Sequence, residues 1–176
     1  MVYLFSIFIF IFGLAVGSFL NVVIFRLSTE NRSLAIARER FSARRSRCPS
    51  CERILAWYDL VPILSFMWLR GKCRYCQKPI SWQYPLVELA TGLLFVQIFN
   101  FQFSIFNEFS ISQLSIFDWL SLAYLLFLNC VLLVVFVYDL KHYIVPDIIV
   151  FPAIIISFFW LCLSSLKIGH WSLEIF

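Results

Sequence analysis

Four apolar runs, each long enough to cross a bilayer, constrain this chain more than any other feature. They cover residues 2–25, 84 to about 106, 120–138 and 148 to about 166. A membrane helix takes about 20 such residues, and lipid leaves no other open-chain way to satisfy the backbone. Composition agrees. The chain is 62% hydrophobic and 14% charged, with 21 phenylalanines, where a soluble globule is about half apolar and a quarter charged. No Lys or Arg precedes the first run, and the first basic residue, Arg26, follows it. That order predicts an uncleaved helix rather than a signal peptide. Gly13 and Gly17 form a small-xxx-small face on this helix, with Asn21 one turn further along it.

Between the first two runs the chemistry changes abruptly. Residues 26–83 hold 12 of the 14 basic residues against four acids, formally +8, and the remainder of the chain is net negative. The positive-inside rule assigns this segment to the cytoplasm. A basic patch also suits nucleic acid. Beside membrane helices, topology and anionic lipid heads explain it better, and no nucleic-acid partner is expected. Residues 28–44 read as a short basic surface helix or an arm.

The same segment carries Cys48, Cys51, Cys73 and Cys76, two C-x-x-C pairs separated by 21 residues. Each pair can bring two thiolates to one ion, and four thiolates at tetrahedral corners suit Zn²⁺. The gap is slightly longer than the usual two-knuckle spacing but short enough for a zinc ribbon. Pro49 and Gly71 supply turn residues. A reducing cytoplasm disfavours disulfides. Cys130 and Cys162, alone in apolar runs, read as packing residues.

The expected fold is therefore an all-α integral membrane protein. It has about four transmembrane helices and a small cytoplasmic zinc-ribbon-like insertion between the first two. Its parts are a first helix (1–25), a basic loop with the cysteine module (26–83) and a membrane region with three helices (84–176). Alternating the spans puts the N-terminus and residues 107–118 outside, and the cysteine loop and residues 139–147 inside.

Three carboxylates stand out. Glu88 lies one turn into the second run, near Pro85, where it suits a helix start or a loop arginine, an anchor either way. Pro146 and Asp147 fit the first positions of the fourth helix. Asp139 ends the third helix, where the dipole disfavours an anion. A charge at the membrane edge without capping logic is a functional candidate, with Lys141 or His142 as simple ion partners the plain alternative. No Gly-rich phosphate loop, Ser-His-Asp order or H-E-x-x-H helix occurs. Nor do Glu88, Asn129 and Asp139 make a polar path of the kind a channel needs.

Taken together, the segments Gly17-Ser18-Phe19-Leu20-Asn21, Arg47-Cys48-Pro49-Ser50-Cys51, Tyr58-Asp59-Leu60-Val61-Pro62, Arg70-Gly71-Lys72-Cys73-Arg74-Tyr75-Cys76 and Tyr84-Pro85-Leu86-Val87-Glu88 resemble type IV prepilin peptidases. Asp139, with Pro146-Asp147 following, resembles the first catalytic aspartate motif of that family. The resemblance implies a membrane aspartic endopeptidase of the bacterial inner membrane. It would cut leader peptides of type IV pilin-like or pseudopilin precursors on the cytoplasmic face. It also implies N-methylation of the new N-terminus with S-adenosylmethionine, with Asp139 catalytic. The family's second aspartate, in a Gly-x-Gly-Asp motif, does not occur in these 176 residues, so the chain looks like the first two-thirds of such an enzyme. The alternative of a different class is a non-catalytic membrane zinc protein, truncated or an adaptor, of a pilus, competence or type II secretion system.

Overall fold

The computed structural model describes residues 2–30, 46–48, 50–51, 53–106 and 116–173. The expectations for residues 31–44, Pro49 and residues 107–115 lie outside these. Five α-helices are described: α1 (Val2–Glu30), α2 (Leu64–Trp68), α3 (Gln83–Phe106), α4 (Ile116–His142) and α5 (Asp147–Leu173). A 3₁₀ turn, Trp57–Leu60, precedes α2. Helices α1, α3, α4 and α5 are long and apolar enough to cross a membrane. Among the described residues, β pairing is limited to two isolated antiparallel bridges in the cysteine module. The all-α membrane fold with an inserted cysteine module is thus the fold observed. The chain forms two compact units, Met1–Val134 and Val135–Phe176, with α4 beginning in the first and ending in the second.

In the first unit the core is the seam between α1 and α3. Leu20, Ile24 and Leu27 of α1 and Val87, Phe95 and Phe99 of α3 are buried, and Thr91 is fully so. The glycine face makes the approach close. A Cβ on Gly17 would stand 2.7 Å from the Glu88 Cα, and one on Gly13 would stand 2.8 Å from the Gly92 Cα. Backbones that close gain dispersion contact where lipid gives helices no hydrophobic reason to associate. Thr91 turns its hydroxyl back to the Val87 carbonyl (2.7 Å), so its buried donor is satisfied without a partner across the seam.

Helix ends depart from the hydropathy boundaries. The first apolar run stops at residue 25, yet α1 continues to Glu30, with Leu27 buried. Hydropathy marks where lipid ends, and backbone hydrogen bonding does not stop there. Helix α4 starts at Ile116, with Asp118 in its first turn, where an anion is favoured.

In the second unit, α4 ends in a tight turn. The Tyr143 N–H donates to the Asp139 carbonyl (2.7 Å), and Tyr143 takes φ 55°, a left-handed residue closing a helix end. Helix α5 then begins at Asp147. Pro146 stands one position before the helix rather than at its first residue, and its carbonyl accepts from Ile149 (3.1 Å) and Val150 (3.3 Å).

Candidate metal centre and its seat on the membrane helices

The metal candidate is built from two knuckles that repeat one another. In the first, the Cys48 N–H donates to the Arg53 carbonyl (3.0 Å), and the Leu55 N–H to the Ser46 carbonyl (2.9 Å). In the second, Cys73 donates to Lys78 (2.9 Å), and Ile80 to Gly71 (2.7 Å). Bridges Arg47 to Ile54 and Lys72 to Pro79 close the two loops. Every one of these positions in the second knuckle lies 25 residues after its counterpart in the first. The sequence carries that repeat as a basic residue, C-x-x-C, a basic residue two positions on, then an apolar end. It is a signal the C-x-x-C spacing alone does not convey. Gly71, at φ +69°, makes the entry to the second knuckle, a conformation costly for other residues.

The knuckles bring all four sulfurs together. The Sγ atoms of Cys48, Cys51, Cys73 and Cys76 lie within 4.8 Å of one another, and Cys48 and Cys76 are 3.9 Å apart. A tetrahedral Zn–S₄ centre with bonds of about 2.3 Å has sulfur–sulfur edges of roughly 3.8 Å, so the cluster has the dimensions of such a site. Cys48 and Cys73 are buried, and Cys51 and Cys76 half-buried. Their thiols are electrostatically unequal. The Cys73 thiol is lowered from 9.0 to about 7, first by the Cys76 backbone N–H and then by that of Tyr75 and the neighbouring thiols, against the effect of burial. At Cys51 the Arg53 backbone N–H pulls downward. Burial and the Cys48 and Cys76 thiols together outweigh it, and the group is pushed up to about 11. Once one thiolate forms, its neighbours resist ionising. A cation at the centre removes that conflict, since metal-bound thiols are deprotonated.

Around the cluster, aromatic and charged side chains lock the knuckles. Arg74, inside the second C-x-x-C, donates from Nε to Asp59 Oδ1 (2.8 Å), and the Asp59 side chain is only 2% exposed. Asp59 Oδ2 also accepts from the Ala56 N–H (3.3 Å), which starts the 3₁₀ turn. The Arg74 guanidinium lies 4.7 Å from the Tyr58 ring centre, and Arg53 lies 5.5 Å from that of Tyr75, cation–π distances. The sequence reading missed the structural role of Asp59. Its signal was the pairing of Tyr58-Asp59 with an arginine between two cysteines.

Helices α1 and α3 carry the module. The buried Glu88 carboxylate accepts from the Ile63 N–H (2.8 Å) and from the Ser18 hydroxyl. Ile63 precedes α2 at φ 58°, a strained conformation for a β-branched residue, held by this bond. Glu88 is an anchor, as expected, but its partner is a backbone donor of the insertion and not an arginine. Asn21 is buried and donates from Nδ2 to the Tyr84 carbonyl (3.0 Å), tying the end of α1 to the start of α3.

Asp139 lies in the last turn of α4, exposed. Among the described residues no ion pair joins it to Lys141 or His142. The His142 ring packs on Tyr138 instead, at 4.6 Å. Asp147, at the first position of α5, is also exposed.

Hydropathy and geometry together define a membrane protein with a four-cysteine module inserted between its first two spans, and comparison with known proteins identifies the class. Residues 11–101 match the bacterial peptidase A24 N-terminal domain. The prepilin leader peptidase/N-methyltransferase of Vibrio cholerae is 35% identical over 163 residues, 91% of this chain and 58% of that protein. The protein of the same name from Stutzerimonas stutzeri is 36% identical over 181 residues, 92% of this chain and 57% of its own length. That of Myxococcus xanthus reaches 54% over 92 residues, 52% of this chain and 25% of the relative. The chain belongs to the prepilin leader peptidase family and spans between a quarter and about three-fifths of the length of these relatives. The matches to the Vibrio cholerae and Stutzerimonas stutzeri proteins leave out too little of the chain to stop short of Asp139. No solved structure matches it.

Proposed function

We propose that this chain forms the zinc-ribbon and first-aspartate part of a prepilin leader peptidase of the bacterial inner membrane. The observation that carries this reading is the length of the matches to proteins of that name, which run from the cysteine module through the Asp139 region. The substrates would be type IV prepilins or pseudopilins, cut after a short basic leader at the cytoplasmic face. On this reading the basic segment and residues 139–147 both face the cytoplasm and the N-terminus faces outward.

Zn²⁺ would be held by Cys48, Cys51, Cys73 and Cys76, where it crosslinks the two knuckles and neutralises thiolate charge. Its role is structural. Asp139 is one of two carboxylates that aspartic chemistry requires. Two such groups close together cannot both ionise and so share a proton. The ionised one takes a proton from water as the water oxygen bonds to the scissile carbonyl carbon. The protonated one donates to the carbonyl oxygen. The exposed position of Asp139 leaves it free for a second carboxylate that these 176 residues do not present in a Gly-x-Gly-Asp motif. The reading extends to S-adenosylmethionine-dependent methylation of the new N-terminus, with no residue of this chain assigned to that step.

The test is the mobility of a pilin precursor in membranes lacking any other such peptidase. The 176-residue chain alone should leave the precursor uncut. The chain completed by the Gly-x-Gly-Asp region of a relative should cut it. Failure of the completed enzyme with metal bound would favour the adaptor reading. Cleavage by the 176 residues alone would place a second acid within them, with Glu88 and Asp147 first to test.

A further inference from the structure

The insertion is tethered lower than its polarity suggests. Ile63, the residue before α2, is bonded to Glu88, which lies five residues, about 7.5 Å, down α3 from Gln83. Further along α2, Phe66 packs edge-on against Trp82, the residue just before α3, at 5.0 Å. These two contacts set the start of α2 at the level of the first turns of α3, a helix long and apolar enough to cross a membrane. Its outer face is apolar and uncovered within this unit. Leu64 is 64% exposed, Met67 68% and Trp68 86%. On α3 itself, Leu86 and Leu93 are 60% and 57% exposed. Arg70 and Lys72, both exposed, follow directly after α2.

We propose that the face of α2 formed by Leu64, Met67 and Trp68 is a lipid-contact site. It sits in the headgroup region of an anionic leaflet and holds the metal module against the membrane surface. Tryptophan concentrates at this depth because its ring is apolar and its N–H is wet. Basic residues beside an apolar helix face add attraction for anionic headgroups. In water the same face would be an apolar patch of the kind that marks an interaction surface. Its level beside the first turns of α3 and the basic residues that follow it favour an anionic lipid surface over a protein partner. The inference does not depend on the peptidase reading.

The experiment uses the whole chain in nanodiscs of phosphatidylcholine, with or without phosphatidylglycerol. A trace phospholipid carries a photoreactive diazirine high on its acyl chain, and adducts are mapped by mass spectrometry. A parallel sample is footprinted with hydroxyl radicals. Residues 64–68 should carry lipid adducts, as Leu86 and Leu93 should if they face lipid, and should be protected from radicals. The double variant Met67→Asp, Trp68→Ser should lose the adducts on 64–68 while keeping those on Leu93. Phosphatidylglycerol should raise the adduct yield on 64–68, and Arg70→Gln with Lys72→Gln should remove that rise. Radical labelling of 64–68 without lipid adducts would overturn the proposal by showing a solvent-exposed face. Protection without adducts would overturn it in favour of a protein partner or a second copy. A yield indifferent to phosphatidylglycerol would remove the anionic preference.

Discussion

The cysteine module and the turn at Asp139 are opposite ways of placing a chemical group. In the module, paired backbone bonds close the two loops that carry the cysteines, and an Arg74–Asp59 ion pair braces the second. Glu88 and Asn21 then fasten the module to two helices. At the turn, Asp139 stands exposed at a helix end, its backbone fixed by one closing bond and its carboxylate unclaimed among the described residues. A structural metal site needs all its ligands from one folded piece. On the proposed reading Asp139 shares a proton with a second acid, and such a carboxylate has to be left open to it.

The largest effect expected is on the module. Cys48→Ser with Cys73→Ser removes one ligand from each knuckle. Structural zinc is worth roughly 10–16 kcal/mol in small zinc-folded units, far more than two paired bridges can replace. Residues 46–80 should become sensitive to protease while α1 and α3 stay in the membrane. Retained protease resistance would mean that the bonds, and not the metal, hold the module. At the turn, Asp139→Asn in the completed enzyme should lower prepilin cleavage by about 10²–10⁴ without altering module protection. Asp147→Asn should lose only a helix-start contribution of about 0.3–1 kcal/mol. Equal losses in both variants would break the assignment.

Smaller effects sharpen the same contrast. Glu88→Ala leaves the Ile63 N–H without its carboxyl acceptor, a loss of about 1–3 kcal/mol. Amide exchange at Ile63 and Leu64 should speed accordingly, and Glu88→Gln, which keeps an acceptor oxygen, should restore much of the protection. Arg74→Ala leaves a buried Asp59 with only the Ala56 N–H. The pair is half open to water through Arg74, so the cost should be about 1 kcal/mol, read as faster release of metal to a chelator.

Some of this was legible in the residues and some was not. The spans are written in hydropathy, and the glycine face of α1 in its spacing, because both depend on neighbours along the chain. The metal candidate is similar, since C-x-x-C fixes a local turn. Glu88 was legible only as an anchor. Its partner is a backbone N–H 25 residues away, and any residue but proline carries one. Asp59 was just one of four acids in a basic segment until the fold brought Arg74 to it. The end of α1 was not legible in hydropathy, because the apolar run stops at residue 25 while backbone hydrogen bonding carries the helix on to Glu30. Asp139 stood out by a misfit with the helix dipole, a local signal, but the second acid that the proposed reading requires is a matter of tertiary structure that no single stretch encodes.

The most direct test of the account is the metal content of the intact chain, purified from membranes without chelator, joined to X-ray absorption at the zinc edge. The account predicts about one Zn²⁺ per chain, bound by four sulfurs at about 2.3 Å. Freshly prepared protein with no metal and four freely titrating thiols at Cys48, Cys51, Cys73 and Cys76 would contradict it.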